Sequence, residues 1–240
     1  MFASIALSIG LALCCEPPAA GTTPGAGALR PDPQWRELGR SLWFDPKGKR
    51  VVLRARVVLR EGQLEHLMCK KGTKEHEAIV ATDAPPLGIH TALILTGAEP
   101  GHPVQFVPEF APPAGTAIAI EFLWRQDGEL RKADARQWVW DEKTKAPLAI
   151  DWVFGGSLFY DDPVTKQRTY AAEEGDLITV ANFASAILDL PMKSSANDAD
   201  RVFSAHTARI PPIGTEVFVV LSPRTTKAAA KPVEGANRQR

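Results

Sequence analysis

The sequence predicts an α+β fold: a β-dominated single domain with one principal buried helix packed on a mostly antiparallel sheet. Three observations predict it. Runs rich in β-branched residues recur along the chain, bounded by Gly, Pro and Asp clusters, which is the pattern of strands and turns. One stretch, Leu87 to Thr96, combines an apolar run with helix start and stop signals. The alternating helices that a Rossmann-like parallel sheet requires do not appear in the pattern.

In chain order, Arg50-Val51-Val52-Leu53-Arg54-Ala55-Arg56-Val57-Val58-Leu59-Arg60 is the first extended run, with charges interleaved among β-branched residues. Glu61-Gly62 separates it from Gln63 to Cys69, and the pair reads as a hairpin. A Lys70-Lys71-Gly72 turn leads to the next strand, Ala78 to Ala81. Asp83 then offers an N-cap, Pro85-Pro86 suits first-turn positions that need no N–H, and Gly97 closes the Leu87 to Thr96 helix. That helix is apolar nearly all round and is expected to be buried. Ala117 to Trp124 is a further strand that turns at Asp127-Gly128, where both central positions tolerate positive φ, and returns through Glu129-Leu130-Arg131. Ile150 to Phe154, Leu177 to Ala181 and Thr215 to Leu221 complete the strands.

The chain has 240 residues, 28 basic and 28 acidic, and 45% hydrophobic residues. A chain of this size buries roughly 70% of its unfolded surface, enough for one core without staples. Balanced charge gives no long-range attraction to phosphate backbones, and no basic stripe interleaved with aromatics is present. Nucleic acid is therefore not an expected partner.

Residues 1–18 read as a signal or lipoprotein-type leader: Met1 to Leu13 is an unbroken apolar and small run ending at Cys14-Cys15-Glu16-Pro17. It falls short of the about 20 residues that span a bilayer. Its weak points are the missing positive n-region and the large Leu13 before Cys14. Residues 19–33 have the Gly, Pro, Ala and Thr composition of a flexible tether, 34–223 form the globular domain, and 224–240 read as a disordered tail. Export to the periplasm or to a lipid-anchored position follows, with Cys14 and Cys15 both open as the lipidated residue. Membrane contact is expected only through such an anchor. Once the leader is removed Cys69 is the sole thiol, which excludes an internal disulfide. An iron–sulfur cluster, needing about four thiolates, is excluded too.

Several collinear stretches resemble a known family. They are Lys74-Glu75-His76-Glu77, Pro85 to Leu93, Asp151-Trp152-Val153-Phe154-Gly155-Gly156-Ser157, Gly175-Asp176-Leu177-Ile178, Leu188-Asp189-Leu190-Pro191 and Ile210-Pro211-Pro212-Ile213-Gly214-Thr215. With them the chain resembles YdjY-domain proteins of the planctomycete type. The resemblance covers most of the domain and implies an exported or lipid-anchored protein without naming an activity. A ferredoxin-like label on some relatives gains no support from the cysteine count.

Reactive side chains crowd into one stretch, from Glu65-His66-Leu67-Met68-Cys69 to Thr73-Lys74-Glu75-His76-Glu77, with His90 shortly after. Candidate catalytic residues are Cys69, His76 and Glu77; candidate metal ligands are Cys69, Glu75, His76 and His90. No cofactor is predicted from them, and a divalent metal is the alternative they leave open. If the strand continued through His76 and Glu77, these neighbours would face opposite ways, so convergence requires the strand and the helix to pack together. No HExxH or zinc-finger spacing is present. The competing reading makes His76 and His90 polar anchors and Cys69 an inert core residue, although Lys70 and Lys71 beside it favour a thiolate.

Gly155-Gly156-Ser157-Leu158-Phe159 fails the nucleophile-elbow pattern. Asp161-Asp162-Pro163 and Asn197-Asp198-Ala199-Asp200 read as solvated turns before calcium ligands. Trp124, Trp138, Trp140 and Trp152 read as packing residues, with a sugar-stacking platform as the alternative. The functional expectation is a binding or interaction module of the cell envelope, taking an envelope protein or a small ligand. The alternative is a metal-dependent or thiol enzyme using Cys69, His76, Glu77 and His90.

Overall fold

The computed structural model describes residues 29–161, 163–194 and 202–224. The leader, most of the tether and nearly all of the tail, together with Asp162 and 195–201, lie outside the described residues.

Eight strands form a closed ring. In chain order they are β1 (Arg50–Val57), β2 (His66–Lys70), β3 (Ala78–Thr82), β4 (Ala117–Gln126), β5 (Trp152–Phe154), β6 (Asp176–Thr179), β7 (Leu188–Asp189) and β8 (Glu216–Pro223). Around the ring the order is β1-β8-β4-β5-β7-β6-β2-β3, and β3 returns to β1 through Arg56↔Ala81 and Val57↔Val80. The pairs β2–β3 and β6–β7 are parallel, and the other six are antiparallel. Two strands, Arg36–Gly39 and Leu42–Asp45, extend from the first half of β1, and Glu129–Asp134 pairs with β4.

This corrects the predicted α+β class: among the described residues the molecule is a β-barrel carrying one short α-helix, and no sheet there is built around a principal helix. The period-2 pattern reports one buried face, and an open sheet and a barrel share it. β4 shows the pattern plainly, burying Ile118, Ile120, Phe122 and Trp124 while the residues between them are half-buried. Closure depends instead on the last two residues of β1 leaving Leu42–Asp45 behind and adopting β3. The predicted hairpin between Arg50–Arg60 and Gln63–Cys69 is also absent, because β3 stands between β1 and β2 in the ring. The Asp127-Gly128 turn does form, with φ of 52° and 81°.

A single apolar core fills the ring, with Trp138, Trp152, Phe122 and Phe154 among its largest buried side chains. A smaller cluster of Trp43, Val52, Phe218 and Val220 covers the outer face of β1 and β8.

The helix, α1 (Pro86–Leu95), lies against Leu42–Asp45, β1 and the turn Ala171–Glu174. Its entry has no side-chain cap, and Asp83 pairs with Arg40 instead, at 2.6 Å. Only one face is buried, through Pro86, Ile89, Ala92 and Leu93. Leu87, Ile94 and Leu95 are about half exposed. The expectation of a helix buried all round therefore fails: one face joins the main apolar core through Ile89, Ala92 and Leu93, and the other meets no covering layer among the described residues. Leu93, fully buried, still anchors it. Leu93→Ala is expected to cost roughly 2–5 kcal/mol from lost contact and a cavity; an unchanged urea midpoint would show that the helix adds nothing to the core.

Candidate functional site

The polar centre of the molecule forms where β2, β3 and β6 begin. Glu65 sits in a bend just before β2, so the strict alternation of a strand does not govern its side chain. Its backbone is pinned on both sides. The Glu65 and His66 N–H groups both donate to Glu77 O at 3.1 Å, and the Val180 and Ala181 N–H groups donate to Glu65 O. On β6, Gly175 precedes Asp176 at φ +125°, and a Cβ there would overlap the Thr73 side chain. Glycine lets Asp176 approach β2 closely.

His66 opens β2 with 0% exposure, its ring stacked on Phe183 at 5.2 Å. Its Nε2 is 2.8 Å from Asp176 Oδ1, and Asp176 also accepts from the Ser185 hydroxyl. Burial pushes the Asp176 carboxyl up, but the bonds from His66 and Ser185 and the nearby His66 and Lys74 charges outweigh it and hold the group below the usual carboxylate range. A carboxylate only accepts, so Nε2 carries the proton of that bond. The other nitrogen, Nδ1, is buried with no hydrogen-bond partner. It faces Glu77 Oε1 at 4.0 Å. One donor atom from each of Glu65, His66 and Glu77 lies within 4.8 Å of the others, and all three residues are buried.

Of the residues proposed from sequence, Glu77 belongs to this centre and His76 stands at its rim. His76 is exposed, with Nε2 3.7 Å from Glu77 Oε2. The two side chains are neighbours because 76 and 77 lie in the turn before β3, not in a strand. Glu75 faces elsewhere: its Oε1 accepts from the Gly72 N–H, and it lines a hollow of about 280 Å3 with Arg54, Arg56, Lys71 and Asp83. Cys69 is buried in a small cluster with Ala78 and Ala81, and burial pushes its thiol up to about 12. His90 has Nδ1 2.9 Å from the Tyr170 hydroxyl and its ring against Phe154. Burial lowers its pKa. The structure thus brings Glu77 and His76 together and leaves Cys69, Glu75 and His90 in other surroundings.

Residue-type reasoning passed over Glu65, His66 and Asp176 as ligands. His66 and Asp176 are 110 positions apart, and no spacing rule spans that distance. The one local signal was the Glu65-His66 pair at the head of the reactive stretch.

The remaining motifs are quiet. The Ser157 hydroxyl donates to Ser185 O at 2.6 Å. Trp124, Trp138 and Trp152 are buried, and Trp140 packs at a tilt on His206, so these four make no exposed coplanar pair. Of the two calcium candidates, 197–200 and Asp162 lie outside the described residues.

Fold and centre together define a small closed β-barrel with a buried histidine–carboxylate cluster at one strand end. The YdjY domain family model matches residues 42–222, and the chain belongs to that family. Searches of curated proteins and of solved structures returned no match.

Proposed function

We propose that this barrel is an exported binding module of the cell envelope, tethered through its N-terminal segment, whose binding site is the Glu65–His66–Glu77 centre. The apolar leader ending at Cys14-Cys15 and the Gly/Pro-rich segment after it support the location. The YdjY resemblance points the same way.

One observation carries the binding reading over a catalytic one: the chemically reactive groups are held in unreactive states. Cys69 is desolvated among apolar neighbours, so the thiolate that a nucleophile requires is disfavoured. The Ser185 hydroxyl bonds to Asp176 rather than to an imidazole, and a carboxylate held below its usual range is a poor general base. His66, by contrast, offers an uncommitted nitrogen to a ligand. The metal-dependent half of the alternative keeps this support, through residues other than Cys69 and His90.

Fractionation of cells producing the full chain tests the location. A processed chain in the envelope fraction is expected, and an unprocessed chain in the cytoplasm would contradict export. A turnover by the purified protein that disappears in Cys69→Ala or His76→Ala would contradict the binding role.

A further inference from the structure

We propose that Glu65, His66 and Glu77 bind a divalent transition-metal ion of the zinc class, with Asp176 as the positioning residue that orients the imidazole.

Three independent features converge. The donor atoms lie within 4.8 Å of one another. Two donors each about 2.1 Å from one tetrahedral ion stand about 3.4 Å apart, so the site needs a closure of at most about 1.4 Å from the 4.8 Å limit, within the swing of two glutamate side chains. Secondly, His66 Nδ1 is fully buried, has no partner and faces the carboxylates. Whether or not it bears a proton, 4.0 Å is too long for a hydrogen bond, so its desolvation goes uncompensated until something sits between it and Glu77. Thirdly, the far side of the ring is already built as a metal-bound histidine requires. Nε2 donates to Asp176, and Ser185 fixes Asp176 in turn. Ligating histidines characteristically give their second N–H to such a carboxylate, which sets tautomer and ring angle.

Glu65, Glu77 and Asp176 converge on one imidazole. An imidazole among the donors selects zinc-like ions over magnesium and calcium, which prefer all-oxygen shells. His76, exposed beside Glu77, stands on the solvent side, where it or a water can complete the shell.

This inference names the ligand class of the module proposed above and rests on that reading for the place of the site. The two fail separately, since export is read from fractionation and the metal from binding. The untagged full chain, stripped with a chelator, is titrated with zinc chloride, and cobalt(II) is bound in parallel for its visible spectrum.

One equivalent of zinc is expected, with affinity falling at least about 100-fold in His66→Ala and in Glu77→Gln. About hundredfold excess magnesium or calcium is expected to leave zinc uptake unchanged; displacement by either would overturn the assignment. Asp176→Asn should weaken binding about 10- to 100-fold and shift the cobalt spectrum, with recovery in Asp176→Glu. A merely structural role would not move the spectrum. Should His66→Ala fail to fold, Glu65→Gln with unchanged circular dichroism carries the test. A wild-type chain that takes up no zinc at millimolar concentration overturns the proposal. So does uptake that survives in His66→Ala, because it would place the ion on other histidines such as the exposed His76 and His102.

Discussion

Trp152→Ala is expected to lower the unfolding free energy by about 4–6 kcal/mol, the largest effect of any single truncation considered. Emptying a buried tryptophan site costs about 3–5 kcal/mol through lost contact and the cavity left behind. Trp152 adds a second loss. From β5 its Nε1 donates to Thr179 O on β6 at 2.7 Å, bridging two strands that β7 separates in the ring. Truncation leaves that carbonyl buried and unpaired, worth about 1 kcal/mol or more. Trp138 provides the control. It is as deeply buried and stacks on Phe122 at 3.9 Å, yet its Nε1 has no hydrogen-bond partner. Trp138→Phe discards an unsatisfied donor, whereas Trp152→Phe orphans an acceptor, so urea unfolding should find Trp152→Phe the costlier of the two. Equal costs would show that the Trp152 bond does not hold the barrel closed.

The second large effect is a pH dependence set by Asp189. Burial pushes this carboxyl from the usual range up to about 7, although bonds from the Thr179 hydroxyl, the Asn182 amide and the Leu190 N–H pull it down. The native state therefore keeps its proton to about pH 7, while the unfolded chain releases it near pH 4. Between those values the native state binds more protons, so stability falls as pH rises. The contribution is fully present below about pH 4 and gone above about pH 7, and the gap between those two values amounts to about 4 kcal/mol.

Asp45, Asp134 and Asp176 act in the opposite sense. Burial raises each, but hydrogen bonds and cationic neighbours outweigh it and lower them, so their stabilisation is lost as the medium turns acid. Asp189→Asn separates the two effects. Its stability relative to wild type should rise by about 4 kcal/mol between pH 4 and pH 8, read from urea midpoints. Parallel curves for the two proteins would remove Asp189 as the source.

Strand positions could be read from the sequence because each depends on local patterning. Ala78–Ala81, Ala117–Trp124, Ile150–Phe154, Leu177–Ala181 and Thr215–Leu221 all fall in or overlap barrel strands. Partner choice could not. Arg56 meets Ala81 and Ile178 meets Leu188 through register, which no single strand encodes. That gap produced the open sheet and the spurious hairpin. The helix misleads for a related reason: a segment that packs one face into the core can have the apolar composition of one buried all round, and only its packing leaves Leu87, Ile94 and Leu95 to solvent.

The same divide runs through the site. His76 and Glu77 stood out by residue type, but their mutual reach depended on lying in a turn. The Asp176–His66 bond, which gives the centre its meaning, joins two distant strands. Cys69 drew notice as the only thiol of the domain, and its burial beside Ala78 and Ala81 removes the positive surroundings that Lys70 and Lys71 suggested.

Crystals of the untagged chain grown with zinc, measured on either side of the zinc absorption edge, test the centre most directly. The expected result is one anomalous peak about 2.0–2.2 Å from His66 Nδ1 and from a carboxylate oxygen of Glu65 and of Glu77, with the Asp176–Nε2 bond intact. Peaks only at surface histidines, with His66 Nδ1 still facing Glu77 across an empty gap, would contradict it.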